Sequence, residues 1–101
     1  MKILALSLLA LCACGSSTEI SAASYDQGCT SEVDCVPVFQ GDTCAICACP
    51  NTAINTSQVA RYEADVLSRR KACGPMPAVA CAACSPRRAL CTGSKCSARI
   101  E

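Results

Sequence analysis

Histidine and tryptophan are absent from this 101-residue chain, which has one phenylalanine and two tyrosines. Without histidine, no Ser-His or Cys-His pair can activate a nucleophile, so the usual hydrolytic constellations are excluded. With aromatics at 3 %, there are no stacking platforms interleaved with basic residues, and nucleic acid is excluded as a partner. Charge is scarce as well: nine bases against eight acids leave a net +1. The longest apolar run, which begins at Ile3, covers about 11 residues, too short for a membrane-spanning helix of roughly 20.

Cysteine is abundant instead, with 12 in the chain. Ten of them (Cys29, Cys35, Cys44, Cys47, Cys49, Cys73, Cys81, Cys84, Cys91 and Cys96) fall in residues 29–101. That density marks a disulfide scaffold, and a domain this small needs covalent staples to offset its limited core. The even number predicts five disulfides in an oxidising compartment. Spacing alone leaves several hundred pairings open, so the connectivity is not legible.

The N-terminus has the proportions of an export signal: Met1-Lys2, then the apolar run, then small residues and a polar stretch. Leu11-Cys12-Ala13-Cys14-Gly15 resembles the lipobox of a bacterial lipoprotein precursor, with Leu three residues before the invariant Cys and small residues around it. Cys12 is an unusual but small occupant of the middle position. The resemblance implies a signal peptide over 1–13 and a diacylglyceryl group on the Cys14 thiol, with palmitate or a similar chain on its amine. Several acyl chains anchor stably where a single one binds marginally. Gly15 in place of Asp leans towards the outer membrane of a Gram-negative envelope. Two other readings stand beside this one. Ser21-Ala22-Ala23 is also an A-x-A-like site, which would give a freely secreted protein, and residues 3–14 would be a buried helix in a cytosolic one.

Residues 14–28 are small, polar and without periodicity, and read as a lipidated flexible stalk. The domain is then expected over 29–101, with Phe39 and Tyr62 as its aromatics. Glu32 to Phe39 suits a strand, with Pro37 confining it to an edge. Gln40 to Thr43 reads as a turn, and Cys44 to Cys49 as the returning strand of a hairpin. A helix is expected from about Thr56 to Ala72. Asn55 is its N-cap and Gln58 the reciprocal partner of a capping box. Val59, Tyr62, Val66 and Cys73 form its apolar stripe, with Leu67 beside them. Arg61, Asp65 and Arg69 make i, i+4 pairs, Arg69, Arg70 and Lys71 suit its C-terminal dipole, and Gly74-Pro75 stops it. Arg88 to Cys91 and Lys95 to Ile100 form a second hairpin around Thr92-Gly93-Ser94. The predicted fold is a small disulfide-rich α+β domain: hairpin, amphipathic helix, hairpin.

Four chemical readings attach to particular residues. The pairs Cys44/Cys47 and Cys81/Cys84 are C-x-x-C motifs. They are separated by more residues than a usual zinc site allows, and neither has the strand-then-helix context of a redox dithiol, so structural cystine is preferred for both. Glu32, Asp34 and Asp42 follow no EF-hand spacing. The segment Cys84-Ser-Pro-Arg-Arg-Ala-Leu-Cys91 resembles the binding loop of a small protease inhibitor, with Arg87 or Arg88 as the residue for a trypsin-like pocket.

Charge is unevenly placed. Residues 15–57 carry five acids and no base, whereas residues 58–101 carry eight bases and three acids. A dipolar domain with two solvated faces accounts for this. The arrangement Cys-x₅-Cys, Cys-rich hairpin, helix and terminal Cys-x₄-Cys resembles small cysteine-rich lipoproteins of Gram-negative soil bacteria. It implies a non-enzymatic envelope protein with an interaction or structural role. No cofactor or metal is expected, and the expected partners are the membrane, through the lipid, and an unidentified protein or other envelope component.

Overall fold

A computed structural model describes residues 17–101. Leu11, Cys12, Ala13, Cys14 and Gly15, and with them the expected signal peptide, lie outside the described residues. Six strands and one helix follow in order: β1 (Glu19–Ile20), β2 (Cys35–Val38), β3 (Gly41–Asp42), β4 (Thr52–Asn55), α1 (Val59–Arg70), β5 (Arg87–Thr92) and β6 (Lys95–Ile100). They form three antiparallel pairs, β1 with β3, β2 with β4, and β5 with β6. This is the expected small α+β domain rich in disulfides.

Strand β4 is the centre of the fold. Successive side chains in a strand point to opposite faces, and here both faces are covered: Ala53 and Ile54 are each 0 % exposed. Ile54 joins an apolar cluster with Ile20, Ala22, Tyr25 and Val38, against which Val36, Phe39, Tyr62 and Val66 pack. Ala53 joins a second cluster made mainly of sulfur, Cys29, Cys35 and Cys96, flanked by Ala89, Cys91 and Ala98. Helix α1 closes the first cluster and the β5–β6 hairpin closes the second. A domain with so few aromatics therefore uses cystine as core material, a role suited to a small, polarizable apolar group.

The helix lies where it was expected, and 3₁₀ turns at Thr56–Gln58 and Lys71–Cys73 extend it at both ends. Asn55 caps it by accepting from the Ser57 N–H. The expected capping box is absent, because Gln58 Oε1 accepts instead from the Asp26 N–H at 3.4 Å. Of the expected i, i+4 pairs, Asp65–Arg69 closes at 4.0 Å, while Arg61 turns away to donate to the Ser24 carbonyl. Gly74 ends the run with φ of 70°, a backbone state that costs glycine little.

The second hairpin also matches expectation. β5 and β6 pair from Arg87↔Ile100 to Thr92↔Lys95, and Gly93 and Ser94 form the two-residue turn with φ of 58° and 61°. Both values are positive, as a type I′ hairpin turn requires.

The first strand pair departs from expectation. Cys35–Val38 is a strand, and Pro37 sits in a two-stranded pair where its missing N–H is tolerated. Its partner is Thr52–Asn55 rather than Cys44–Cys49. Three cystines draw residues 44–49 towards residues 73–84, and Cys47 takes a φ of 62°, which is incompatible with a strand. Asn51 closes the resulting loop by standing in for a strand neighbour. Its side chain accepts from Gln40 N and donates to Gln40 O, and its own N–H donates to Val38 O.

The expected flexible stalk is also corrected. From Thr18 onwards the chain belongs to the domain: β1 pairs with β3, and Ile20, Ala22 and Tyr25 are buried. Gln27 to Cys29 runs beside the β6 end of the second hairpin, where Cys29 N donates to Ser94 O and Cys96 N to Gln27 O. The segment is polar on average, but Ile20, Ala22 and Tyr25 face inward while Ala23 stays exposed.

Candidate functional site

All ten cysteines of residues 29–101 are paired: 29–91, 35–96, 44–73, 47–81 and 49–84. The five cystines fall into two groups. The 29–91 and 35–96 bonds tie β2 and the preceding segment to the β5–β6 hairpin, inside the core. The other three run in matching order between residues 44–49 and residues 73–84, like rungs of a ladder. No backbone–backbone hydrogen bond joins residues 75–85 to another part of the described chain. Besides side-chain contacts from Arg70 to Met76 Sδ and from Arg87 to the Ser85 carbonyl, the cystines hold this segment in place.

The ladder builds a cleft of about 760 Å³ beside α1. Tyr62, Val66 and Leu67 of the helix form one wall. Ile46 and its neighbouring alanines, from the cystine-bearing loop, form a second wall, and Met76, Pro77 and Val79 form a third. Phe39 and the buried Thr43 complete the lining, and Glu63 and Arg70 are its charged side chains. The lining is mostly aliphatic and is left uncovered: Ile46, Leu67 and Val79 are 47 %, 65 % and 55 % exposed. Pockets of this size and lining are typical of sites for small apolar guests. Tyr62 is fixed at the rim because its hydroxyl donates to the Phe39 carbonyl at 2.6 Å, and burial raises its pKa.

Behind the helix, Tyr25 anchors α1. Its hydroxyl donates to Asp65 Oδ2, its ring meets Tyr62 edge-on at 5.6 Å, and the Arg61 guanidinium lies 4.6 Å from the ring centre. Burial, then the hydrogen bond to Asp65 and that carboxylate's charge, push the Tyr25 pKa up to about 12. This network positions one wall of the cleft. No signal in the sequence set Tyr25 apart from its polar surroundings.

The other sequence candidates fall elsewhere. Neither C-x-x-C closes on itself, since Cys44 and Cys47 bond to Cys73 and Cys81, and Cys81 and Cys84 bond to Cys47 and Cys49. Among the described residues, the metal-ligand atoms drawn together are the sulfurs of Cys29, Cys35 and Cys96, within 4.8 Å. All three are consumed in cystines, whereas a metal needs thiolates. Glu32, Asp34 and Asp42 each have a separate partner. Glu32 takes Arg88 at 3.0 Å. Asp34 accepts from the Thr30 N–H and hydroxyl and from the Ser31 N–H, and Asp42 accepts from the Cys44 N–H and the Thr18 hydroxyl. These donors hold both aspartates below the usual carboxylate pKa, the Thr30 N–H leading for Asp34 and the Cys44 N–H for Asp42.

The expected inhibitor loop does not form. Cys84 and Cys91 are bonded to Cys49 and Cys29 rather than bracketing a loop. Arg87 and Arg88 lie in strand β5, paired with Ile100 and Arg99. Arg87 donates to the Pro50 carbonyl at 2.7 Å, and Arg88 is held by Glu32, so neither projects as a protease bait.

No described helix is long and apolar enough to cross a membrane. Comparison with known protein families, with curated proteins and with solved structures finds no match to this chain.

Proposed function

We propose that this protein is a non-enzymatic module of the cell envelope, anchored by lipid at Cys14 and holding an aliphatic guest in the cleft beside α1. The observation that carries the reading is the cleft itself, an apolar surface kept open by three cystines with Ile46, Leu67 and Val79 bare to solvent. Exposed apolar patches of this kind mark binding sites.

The start of the fold supports processing at Cys14. Cleavage after Ala23 would remove β1 and take Ile20 and Ala22, 2 % and 4 % exposed, out of the core. Processing at Cys14 leaves this part of the fold intact. It leaves a leash of four residue steps from Cys14 to Thr18, at most about 14 Å of chain, so the domain sits close against its membrane. Gly15 in place of Asp favours the outer membrane in this reading.

Two measurements test the two halves of this reading. Cells fed an alkyne-bearing fatty acid are expected to label the protein, and Cys14→Ser is expected to abolish the label. Label retained in Cys14→Ser would end the anchor reading. The Cys14→Ser protein is expected to enhance the fluorescence of an apolar dye, and Leu67→Asp in the same background to lose most of that signal. Equal fluorescence from both would end the cleft reading.

A further inference from the structure

We infer that the occupant of the cleft is one acyl chain of the protein's own Cys14 anchor, lodged there while the protein is off the membrane. The inference rests on the lipid-anchor reading above and adds the identity of the guest.

Position is the first ground. Thr43 lines the cleft, and the same residue holds the start of the fold, with its N–H and hydroxyl donating to the Thr18 carbonyl at 2.8 and 2.6 Å. The Thr18 hydroxyl in turn donates to Asp42. The chain thus enters the domain at the edge of the cleft. Cys14 is four residues upstream, so its Cα lies within about 14 Å of that edge whatever path the leash takes.

Chemistry is the second. Ile46, Val66, Leu67, Met76 and Val79 offer a lining with few directional polar groups, which suits a flexible hydrocarbon better than a peptide, whose backbone would need hydrogen-bond partners. The charged side chains of the lining, Glu63 and Arg70, suit the hydrated glyceryl ester end of such a chain.

Energetics sets the direction. An acyl chain exposed to water loses ~0.8 kcal/mol for each methylene left unburied, and a multiply acylated protein in transit would aggregate through those chains. A bilayer covers every methylene of a chain, whereas an open cleft covers only part of one. The chain therefore leaves the cleft when a membrane is present and returns when it is not. Tethering favours the chain over free lipid, because a short leash makes its binding intramolecular.

The test uses full-length protein isolated from cells fed a diazirine-bearing fatty acid, freed of detergent at low concentration, irradiated, digested and read by mass spectrometry. The expected result is cross-links from the Cys14 lipid to Ile46, Leu67 or Val79 of the same chain, whatever the association state the remaining acyl chains impose. Cross-links found only between copies, or only to co-purified lipid, would overturn the inference while leaving the anchor intact. A Cys14 peptide without the label would remove the anchor reading itself.

A second variant separates lodging from folding. Leu67 is exposed, so Leu67→Asp is expected to fold with an unchanged circular dichroism spectrum. The lipidated variant should lose the cross-links to Ile46 and Val79 of its own chain. A lipidated Leu67→Asp protein that keeps those cross-links would count equally against the inference.

Discussion

Tyr25 donates its phenolic hydrogen to Asp65, forty residues further along the chain, and so fastens the first segment of the domain to the middle of its helix. The tyrosine is 6 % exposed, and the same carboxylate oxygen forms an ion pair with Arg69 at 4.0 Å. Removing the hydroxyl leaves a charged acceptor without its buried donor. Tyr25→Phe is expected to cost about 1–2 kcal/mol, in line with hydrogen bonds to charged groups, and to appear as a lower denaturant midpoint.

The same contact sets an alkaline limit. Folding raises the Tyr25 pKa from 10.0 to about 12, so the folded state keeps its proton where the unfolded state has lost it. The stability contributed is fully present below pH 10 and is lost as pH rises through the folded value near 12. Absorbance titration of phenolate is expected to show Tyr25 ionising well above a free tyrosine. A Tyr25 transition at 10 would contradict the buried contact.

At the acid end the signs reverse. Asp34 and Asp42 have pKa values held below 3.8 by N–H and hydroxyl donors, so the stability they contribute is present above 3.8 and lost as pH falls through their lower folded values. Melting temperature is expected to fall over that acid range, and Asp42→Asn to flatten the fall. Because Asp42 accepts from the Thr18 hydroxyl, that variant should also speed amide exchange at Ile20 and in the residues after it.

Packing predicts a contrast between two aliphatic residues. Ile54 is fully buried and Val33 is 79 % exposed. Ile54→Ala is expected to cost about 2–5 kcal/mol, and Val33→Ala to stay within about 0.5 kcal/mol. Thermal unfolding of the two proteins measures the difference directly.

The two groups of cystines should separate by what their loss damages. Cys35→Ala/Cys96→Ala opens the sulfur-rich core, where Cys96 is 1 % exposed, and is expected to cost about 2–5 kcal/mol. Cys47→Ala/Cys81→Ala removes one rung beside the cleft. It is expected to reduce dye binding strongly while lowering the melting temperature less than the core pair does.

Some of this structure was legible because the signals are local. Asn55 at a helix start, the 3.6-residue recurrence of Val59, Tyr62 and Val66, and Gly93-Ser94 between two alternating runs each specify their own backbone. The paired state of the cysteines followed from their number and density. Residues 17–28 read as a stalk because only one residue in three is apolar, Ile20, Ala22, Ala23 and Tyr25. The burial of Ile20, Ala22 and Tyr25 comes from β3, β4 and α1, none of which is near in sequence. The partner of β2 was misassigned for a related reason. Cys44 to Cys49 has strand-like composition, but its geometry is dictated by bonds to residues 73–84, and the pairing of cysteines is not written in their spacing. The cleft was illegible as well, since Ile46, Leu67 and Val79 lie in three separate segments, each unremarkable alone.

The ladder of cystines between residues 44–49 and residues 73–84 makes the guest site a product of oxidation. In the reduced chain the segment 75–85 keeps no backbone–backbone hydrogen bond to the rest of the described chain, only the side-chain contacts of Arg70 with Met76 and Arg87 with Ser85, and the third wall of the cleft loses its covalent support. The apolar core behind α1, built on Ile54 rather than on sulfur, does not share that dependence. A newly made, still reduced copy would thus carry no braced receptacle for a hydrocarbon chain, and would acquire one at the moment its thiols pair. Binding competence would then report the redox history of the individual molecule, without any dedicated regulatory residue.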